Sequence, residues 1–154
     1  MKTKNLLITA VICLISIMGC NQKENQMDKK MVEERLSTYF AALNSADVET
    51  IVSGYAQNGV FMAPDFPAFS GTEQIREAYK TIFGQIQLKV NVKIHEITVA
   101  GEFAFAYTES EGTVTVKANN AVVPEKNKEL FVLVKSGEGW LIRQYAFNKI
   151  APAK

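Results

Sequence analysis

Four side chains in this sequence, Tyr39, Asp65, His95 and Glu109, are of types that donate, accept or hold protons in organic catalysis. A phenol donates a hydrogen bond to a developing oxyanion, and a carboxylate or imidazole of suitable pKa takes the proton. Tyr39 lies on the apolar face of a helical repeat formed by Val32, Leu36, Tyr39, Phe40 and Leu43, so it is either a core residue or a phenol opening into a pocket. Phe103, Phe105, Tyr107, Glu109 and Glu111 alternate along a strand, which places aromatics and then carboxylates on one face. An apolar wall ending in a carboxylate raises that group's pKa by desolvation, unless both glutamates lie past the rim in solvent. His95 is the one histidine; at a break in strand parity it either enters the cavity as a base or stays on the surface. Asp65 sits in a loop bracketed by Pro64 and Pro67.

A second set of residues suits the lining of a binding pocket: Tyr55, Met62, Phe66, Tyr79 and Phe83 in the first half, then Phe105, Tyr107 and Phe131. On the last strand Arg143 and Tyr145 share a face with Leu141 and Phe147, where they either hold a ligand carboxylate or pack the sheet against a second subunit. A lone histidine gives no basis for a His-based metal site, and no metal is expected. No P-loop, Gly-rich phosphate loop or nucleophile elbow occurs, so no cofactor is expected either.

The elements that must position these groups follow from periodicity. A first helix ends at Asn44 and Ser45, and a second opens at Asp47, carries Val48, Ile51, Val52 and Tyr55, and stops at Asn58-Gly59. Val60 to Met62 form a short strand; Ser70 and Glu73 have capping-box spacing, and the helix behind them buries Ile75, Tyr79, Ile82 and Phe83 before Gly84 closes it. Leu88, Val90, Val92 and Ile94 alternate with polar residues, and the parity flips to Ile97 and Val99, which predicts a bulge near His95 and Glu96. Gly101 begins a hairpin turn, a strand follows from Phe103 to about Lys117 with a kink at Gly112, and 118–127 with Pro124 reads as a loop. Leu130 to Val134 is continuously apolar, as in a strand covered on both faces; residues 136–139 turn it into a last strand, Trp140 to Asn148. Helices clustered before a run of strands imply an α+β fold: a cone-shaped curved antiparallel sheet closed by three N-terminal helices, after a signal helix, with a cavity between.

At 154 residues with 47% apolar and 21% charged content, the chain has room for one domain with its own core. Residues 1–19 read as an export signal: Lys2 and Lys4 precede an uncharged run from Leu6 to Gly19, shorter than the roughly 20 residues that span a bilayer. Ile17-Met18-Gly19-Cys20 resembles the bacterial lipobox, which implies lipid on Cys20 and a protein anchored to a membrane of the bacterial cell envelope, periplasmic or on the surface. Residues 20–30 are polar and aperiodic, as in a flexible tether, leaving 31–150 as the folded domain. Losing Lys2 and Lys4 leaves 15 basic residues against 16 acidic ones, and no basic stripe suits a nucleic acid.

The order of elements, together with YFAALNSAD at 39–47, Tyr55-Ala56, GVFMAP at 59–64 and Gly71 with Ile75-Arg76, resembles the nuclear-transport-factor-2-like superfamily, in its ketosteroid-isomerase-like and polyketide-cyclase (SnoaL)-like branch. That resemblance implies a pocket for a small, largely apolar molecule, and a homodimer through the open sheet face. Ketosteroid isomerase uses an Asp base with a Tyr and a protonated Asp as oxyanion donors. Tyr39 matches that tyrosine, the base position falls on Ala63, and the protonated Asp falls on or beside Phe131, with Glu129 close by. The resemblance therefore implies binding more strongly than steroid isomerisation, with Tyr39 plus Asp65, Glu109 or His95 as the machinery if there is catalysis, and a non-catalytic homodimeric partner module as the remaining alternative.

Overall fold

The computed structural model describes residues 3–137 and 139–150, with side chains from Lys23 onward. Helix α1 (Thr3–Ser45) is followed by a short α2 (Val48–Ser53), β1 (Tyr55–Met62), β2 (Phe69–Ser70), α3 (Gly71–Gln85) and four long strands: β3 (Ile86–Ala100), β4 (Phe103–Val116), β5 (Ala121–Ser136) and β6 (Gly139–Lys149). The strands form one sheet in the order β2-β1-β6-β5-β4-β3. Pairing is antiparallel except between β1 and β6, which run parallel. Bulges at Ile94/Glu96 in the β3–β4 ladder and at Val132/Leu133 in the β5–β6 ladder bend the sheet around the helices. The result is an α+β fold in which helices fill the concave side of an unclosed sheet.

Helix α1 buries Val32, Leu36, Tyr39, Phe40 and Leu43, the face read from its period. At its end Asn44 reaches edge strand β3, where its side chain accepts from the Val90 N–H and donates to the Val90 carbonyl, each at 2.8 Å. A free edge is thereby satisfied by one side chain. Asp47 caps α2 by accepting from the Thr50 N–H at 3.0 Å. The helix ends at Gly54, earlier than the apolar spacing predicts, so Tyr55 belongs to β1; four apolar residues are too few to extend α2 against a partner strand. Ser70 makes no side-chain cap; Gln74 instead accepts from the Ser70 N–H at 2.9 Å, while Glu73 pairs with Arg76. Gly84 does not close α3, which runs on to Gln85.

Three readings of the second half change. Residues 121–127 are strand, not loop, because Pro124 lies beyond the end of β6, where β5 is itself an edge and a missing N–H is tolerated. Leu130 to Val134 is covered on one face only: Phe131 and Leu133 are buried whereas Leu130 is 52% exposed. Gly112 is required for a reason other than a kink, since a Cβ there would stand 2.0 Å from the Lys89 carbonyl oxygen. The tight approach of β3 and β4 leaves no room for a side chain.

Residues 20–30, read as a tether, lie within α1. Asp28 is buried and accepts from the Trp140 indole N–H at 3.0 Å and from Lys135 Nζ at 3.1 Å. The side chains of the signal run and of Cys20 lie outside the described residues, as does Glu138 of the last turn. Among the described residues no helix is long and apolar enough to cross a membrane.

Candidate functional site

Between the helices and the concave sheet face lies a cavity of about 590 Å³. Its apolar side comes from alternate residues of edge strand β3 and its neighbour: Ile86, Leu88, Val90, Val114 and Val116. Phe61, Ile82 and Phe147 continue that surface, and Ala63 to Phe66 form part of the mouth. Asp65 lines this mouth with φ +65°, a left-handed conformation that Asp tolerates better than most residues.

Two polar groups break the apolar surface. The first is a chain of tyrosines: the Tyr39 and Tyr79 hydroxyls lie 2.7 Å apart, and the Tyr55 hydroxyl lies 3.1 Å from that of Tyr79. Tyr39 and Tyr79 line the cavity, whereas Tyr55 stands behind them in the core. Burial pushes all three phenols well above their ordinary pKa, so they stay protonated and act as donors. Three hydroxyl protons serve two mutual bonds, so one of the three hydroxyls has a proton to give elsewhere. At Tyr39 that direction is the cavity.

The second polar group comes from β5, whose Glu125, Asn127, Glu129, Phe131 and Leu133 all face inward. Glu129 is 3% exposed, with one carboxylate oxygen accepting from Ser110 at 2.7 Å and the other accepting from Thr108. Ser110 and Thr108 stand directly across the ladder from Asn127 and Glu129. Burial raises the Glu129 pKa, and the hydroxyls of Thr108, Ser110 and Tyr145 oppose that rise by stabilising the charged form. Tyr145 lines the cavity beside it and is itself pushed well up by burial, then by the Glu129 charge. Lys149 pairs with Glu125 at 3.2 Å. Asn127 donates weakly to Ser110 at 3.4 Å, and its side-chain oxygen has no hydrogen-bond partner among the described residues. A phenol and a shielded carboxyl on one cavity are the parts of a hydrogen-bonding or acid–base site.

The structure separates the residues expected at the site. Tyr39, Asp65, Phe66, Tyr79 and Tyr145 line the cavity. Phe83 and Phe131 are buried in the core, with Phe131 stacked on Tyr145 at 4.3 Å. Glu109 and His95 do not enter it. On β4 the inward residues are Ala104, Ala106, Thr108 and Ser110, so Phe105, Tyr107 and Glu109 point to the outer face. Small residues of β4 line the inside, and its large aromatics stand outside. His95 is the bulged residue opposite that outer face; it stacks on Tyr107 at 4.9 Å and lies 3.6 Å from Glu109. The Tyr107 hydroxyl donates to Glu109 at 2.6 Å, holding its carboxyl below the ordinary value. Met62 has the opposite parity to cavity residue Phe61 and so faces away. In β6 the bulge at Arg143 puts Ile142 and Tyr145 on the same side, which leaves Arg143 off the cavity, donating to the Asn58 carbonyl.

Glu125, Asn127 and Ser110 were missed by sequence reasoning, although a period of two runs from Glu125 to Leu133 without interruption. Pro124 masked that signal by suggesting a loop. Among the described residues no group of His, Cys, Asp and Glu is placed to hold a metal ion.

Residues 36–147 match the model of the SnoaL-like domain family. None of the curated proteins compared with this chain matches it. A ketosteroid isomerase-like protein from Erwinia carotovora atroseptica is 32% identical, with a TM-score of 0.77 over 81% of this chain and 98% of its own. A nuclear transport factor 2-like protein from Salmonella enterica superposes with a TM-score of 0.72 at 23% identity over 84% of this chain and 95% of its own. At 13% identity, an NTF2-like protein with a cystatin-like fold from Novosphingobium aromaticivorans gives a TM-score of 0.70 over 87% of this chain and 89% of its own. With helices packed inside a six-stranded curved sheet around a tyrosine-lined cavity, this chain belongs to the SnoaL-like domain family of the nuclear-transport-factor-2-like superfamily.

Proposed function

We propose that this domain is a receptor for a small, largely apolar molecule, carried on a lipid at Cys20 in a bacterial envelope. The observation that carries the binding reading is the cavity of about 590 Å³, within the usual range for small-molecule sites and apolar over most of its lining. Its two polar clusters give orientation: the Tyr39–Tyr79–Tyr55 chain on the helix side and Glu129 with its hydroxyl partners on the sheet side. Burying an apolar ligand face contributes roughly 25 cal/mol per Å², and the polar groups select which end goes where. The test is thermal denaturation of the purified full-length chain against a panel of uncharged bicyclic and tricyclic compounds. Binding raises Tm in a concentration-dependent way; no shift with any compound at solubility rejects the receptor reading. Anchoring is tested separately: Cys20→Ala removes incorporation of labelled palmitate and releases the protein from membranes, and unchanged labelling rejects it.

Acid–base catalysis is the second reading, favoured by Asp65 lining the same cavity as the Tyr39 hydroxyl. Asp65 would take a proton from the carbon beside a bound carbonyl, while Tyr39 donates to the oxygen that becomes the enolate. Exchange of that proton for deuterium from heavy water, followed by NMR on a bound cyclic ketone, tests it. Tyr39→Phe slows the exchange at least about tenfold, which is about 1.4 kcal/mol of transition-state stabilisation. Exchange at the rate of free solution in the unaltered protein removes the reading.

A further inference from the structure

We infer that the molecule held here carries a neutral hydrogen-bond donor, a hydroxyl or an amide-type N–H, seated against the Asn127 side-chain oxygen, and no carboxylate at that end. The inference rests on the receptor reading and narrows it to a class of ligand. Asn127 is 7% exposed, lines the cavity, and its Oδ1 is the buried side-chain polar atom without a partner among the described residues. The direction of that oxygen follows from its neighbours. Ser110 commits its single proton to Glu129 at 2.7 Å and so offers Asn127 only lone pairs. The amide nitrogen must therefore face Ser110, as its 3.4 Å contact shows, and the oxygen is turned elsewhere.

Water can serve that oxygen in the free protein. A ligand that displaces the water must replace its hydrogen bond or lose affinity, because a buried acceptor left unpaired costs its full desolvation. A donor on the ligand meets this demand; an ether or a methylated nitrogen does not. Glu125 and Glu129 stand two residues to either side of Asn127 on the same strand face, so a ligand carboxylate would enter between two acidic groups. The one ammonium at this wall, on Lys149, already pairs with Glu125. A charged donor finds Glu125 already paired with Lys149 and Glu129 already bonded to Thr108 and Ser110, while Leu88, Val90, Val114 and Val116 along the same sheet offer nothing to replace its hydration.

Three fluorescent or calorimetric probes of similar size test this on the full-length chain: 2-phenylindole, 1-methyl-2-phenylindole and biphenyl-4-carboxylate. The expected result is a Kd for 2-phenylindole at least about tenfold below that of its methylated form, with the carboxylate weakest. Asn127→Asp, which keeps an oxygen at that position, retains the preference for the N–H compound, whereas Asn127→Leu loses it. Equal affinity for the two indoles, or tightest binding of the carboxylate, overturns the donor inference and leaves the receptor reading standing. If none of the three binds although a compound of the thermal panel does, the donor inference falls and the receptor reading stands; if no panel compound binds either, both fall.

Discussion

Removing one oxygen from the middle of the tyrosine chain is expected to cost more than removing all three. Tyr79 is the hub: its hydroxyl lies 2.7 Å from that of Tyr39 and 3.1 Å from that of Tyr55. Tyr79→Phe keeps the ring stacked on Phe61 at 4.9 Å, so shape and area burial are unchanged. Both neighbours lose their bond at once. Tyr55 is buried behind the cavity, and its orphaned hydroxyl costs about 1–3 kcal/mol. Tyr39 opens on the cavity, where solvent replaces the lost partner for about 0.5–1 kcal/mol. The single variant should thus lose about 2–3 kcal/mol. Tyr55→Phe removes only an end, leaves Tyr79 bonded to Tyr39, and should cost about 1 kcal/mol. The triple Phe variant leaves no orphan and should be less destabilised than Tyr79→Phe alone. Urea unfolding followed by the fluorescence of Trp140, the only tryptophan, reads all of these at constant m. A triple variant that costs the sum of the three singles would refute the reasoning, because it would make the hydroxyls independent of one another.

Four further outcomes are expected. Gly112→Ala should destabilise by about 2 kcal/mol or more in thermal melts, since its Cβ would meet the Lys89 carbonyl oxygen at 2.0 Å; a change within about 0.5 kcal/mol would show that β3 and β4 can part freely. Glu129 has its pKa raised in the folded state, so its contribution is fully present below its unfolded value and is lost as pH rises through the folded one. The stability of the unaltered chain minus that of Glu129→Gln should fall as pH increases from the ordinary glutamate value of 4.5 upward, and a flat difference contradicts the burial of the charge. Asp28→Ala leaves the buried Trp140 N–H without its acceptor, which should cost about 1–3 kcal/mol and remove hydrogen-exchange protection around residues 24–31; unchanged protection would mean the clasp does not hold that turn. The apolar outer face, with Phe103 at 46% and Phe105 at 43% exposure, is expected to be covered by a second copy: light scattering should give a dimer that Phe105→Lys dissociates, and a monomer at every concentration rejects it.

Helix positions were legible in the sequence because their signal is redundant. In α1, Val32, Leu36, Tyr39, Phe40 and Leu43 each repeat the same 3.6-residue message, and all are buried. The bulge at His95 was legible for a related reason: the apolar parity changes there and nowhere else in β3. The end of α2 was not, since Tyr55 fits the helical spacing and becomes a strand residue only through its pairing with Ile142 more than 80 positions away. Pairing partners of that kind leave no mark in local composition.

The faces of β4 show why only some of the expected residues line the cavity. Phe103, Phe105 and Tyr107 are the large apolar residues of that strand, and Ala104, Ala106, Thr108 and Ser110 the small ones. Hydrophobicity alone turns the aromatics inward, carrying Glu109 with them, because a strand's period of two allows no compromise. Volume decides otherwise. Tyr39, Phe40 and Phe131 already occupy the space beneath the helices, packed edge-on at 5.6 and 6.0 Å between ring centres, and leave room only for alanines and hydroxyls on β4. With that side filled, Thr108 and Ser110 became the hydrogen-bond partners that let Glu129 be buried, and the candidate carboxyl moved from β4 to β5. A buried glutamate needs such partners, so two small hydroxyl residues at alternate positions of one strand, facing an acidic residue on the next, are a stronger sign of a cavity carboxyl than aromatics leading up to a glutamate on the same strand.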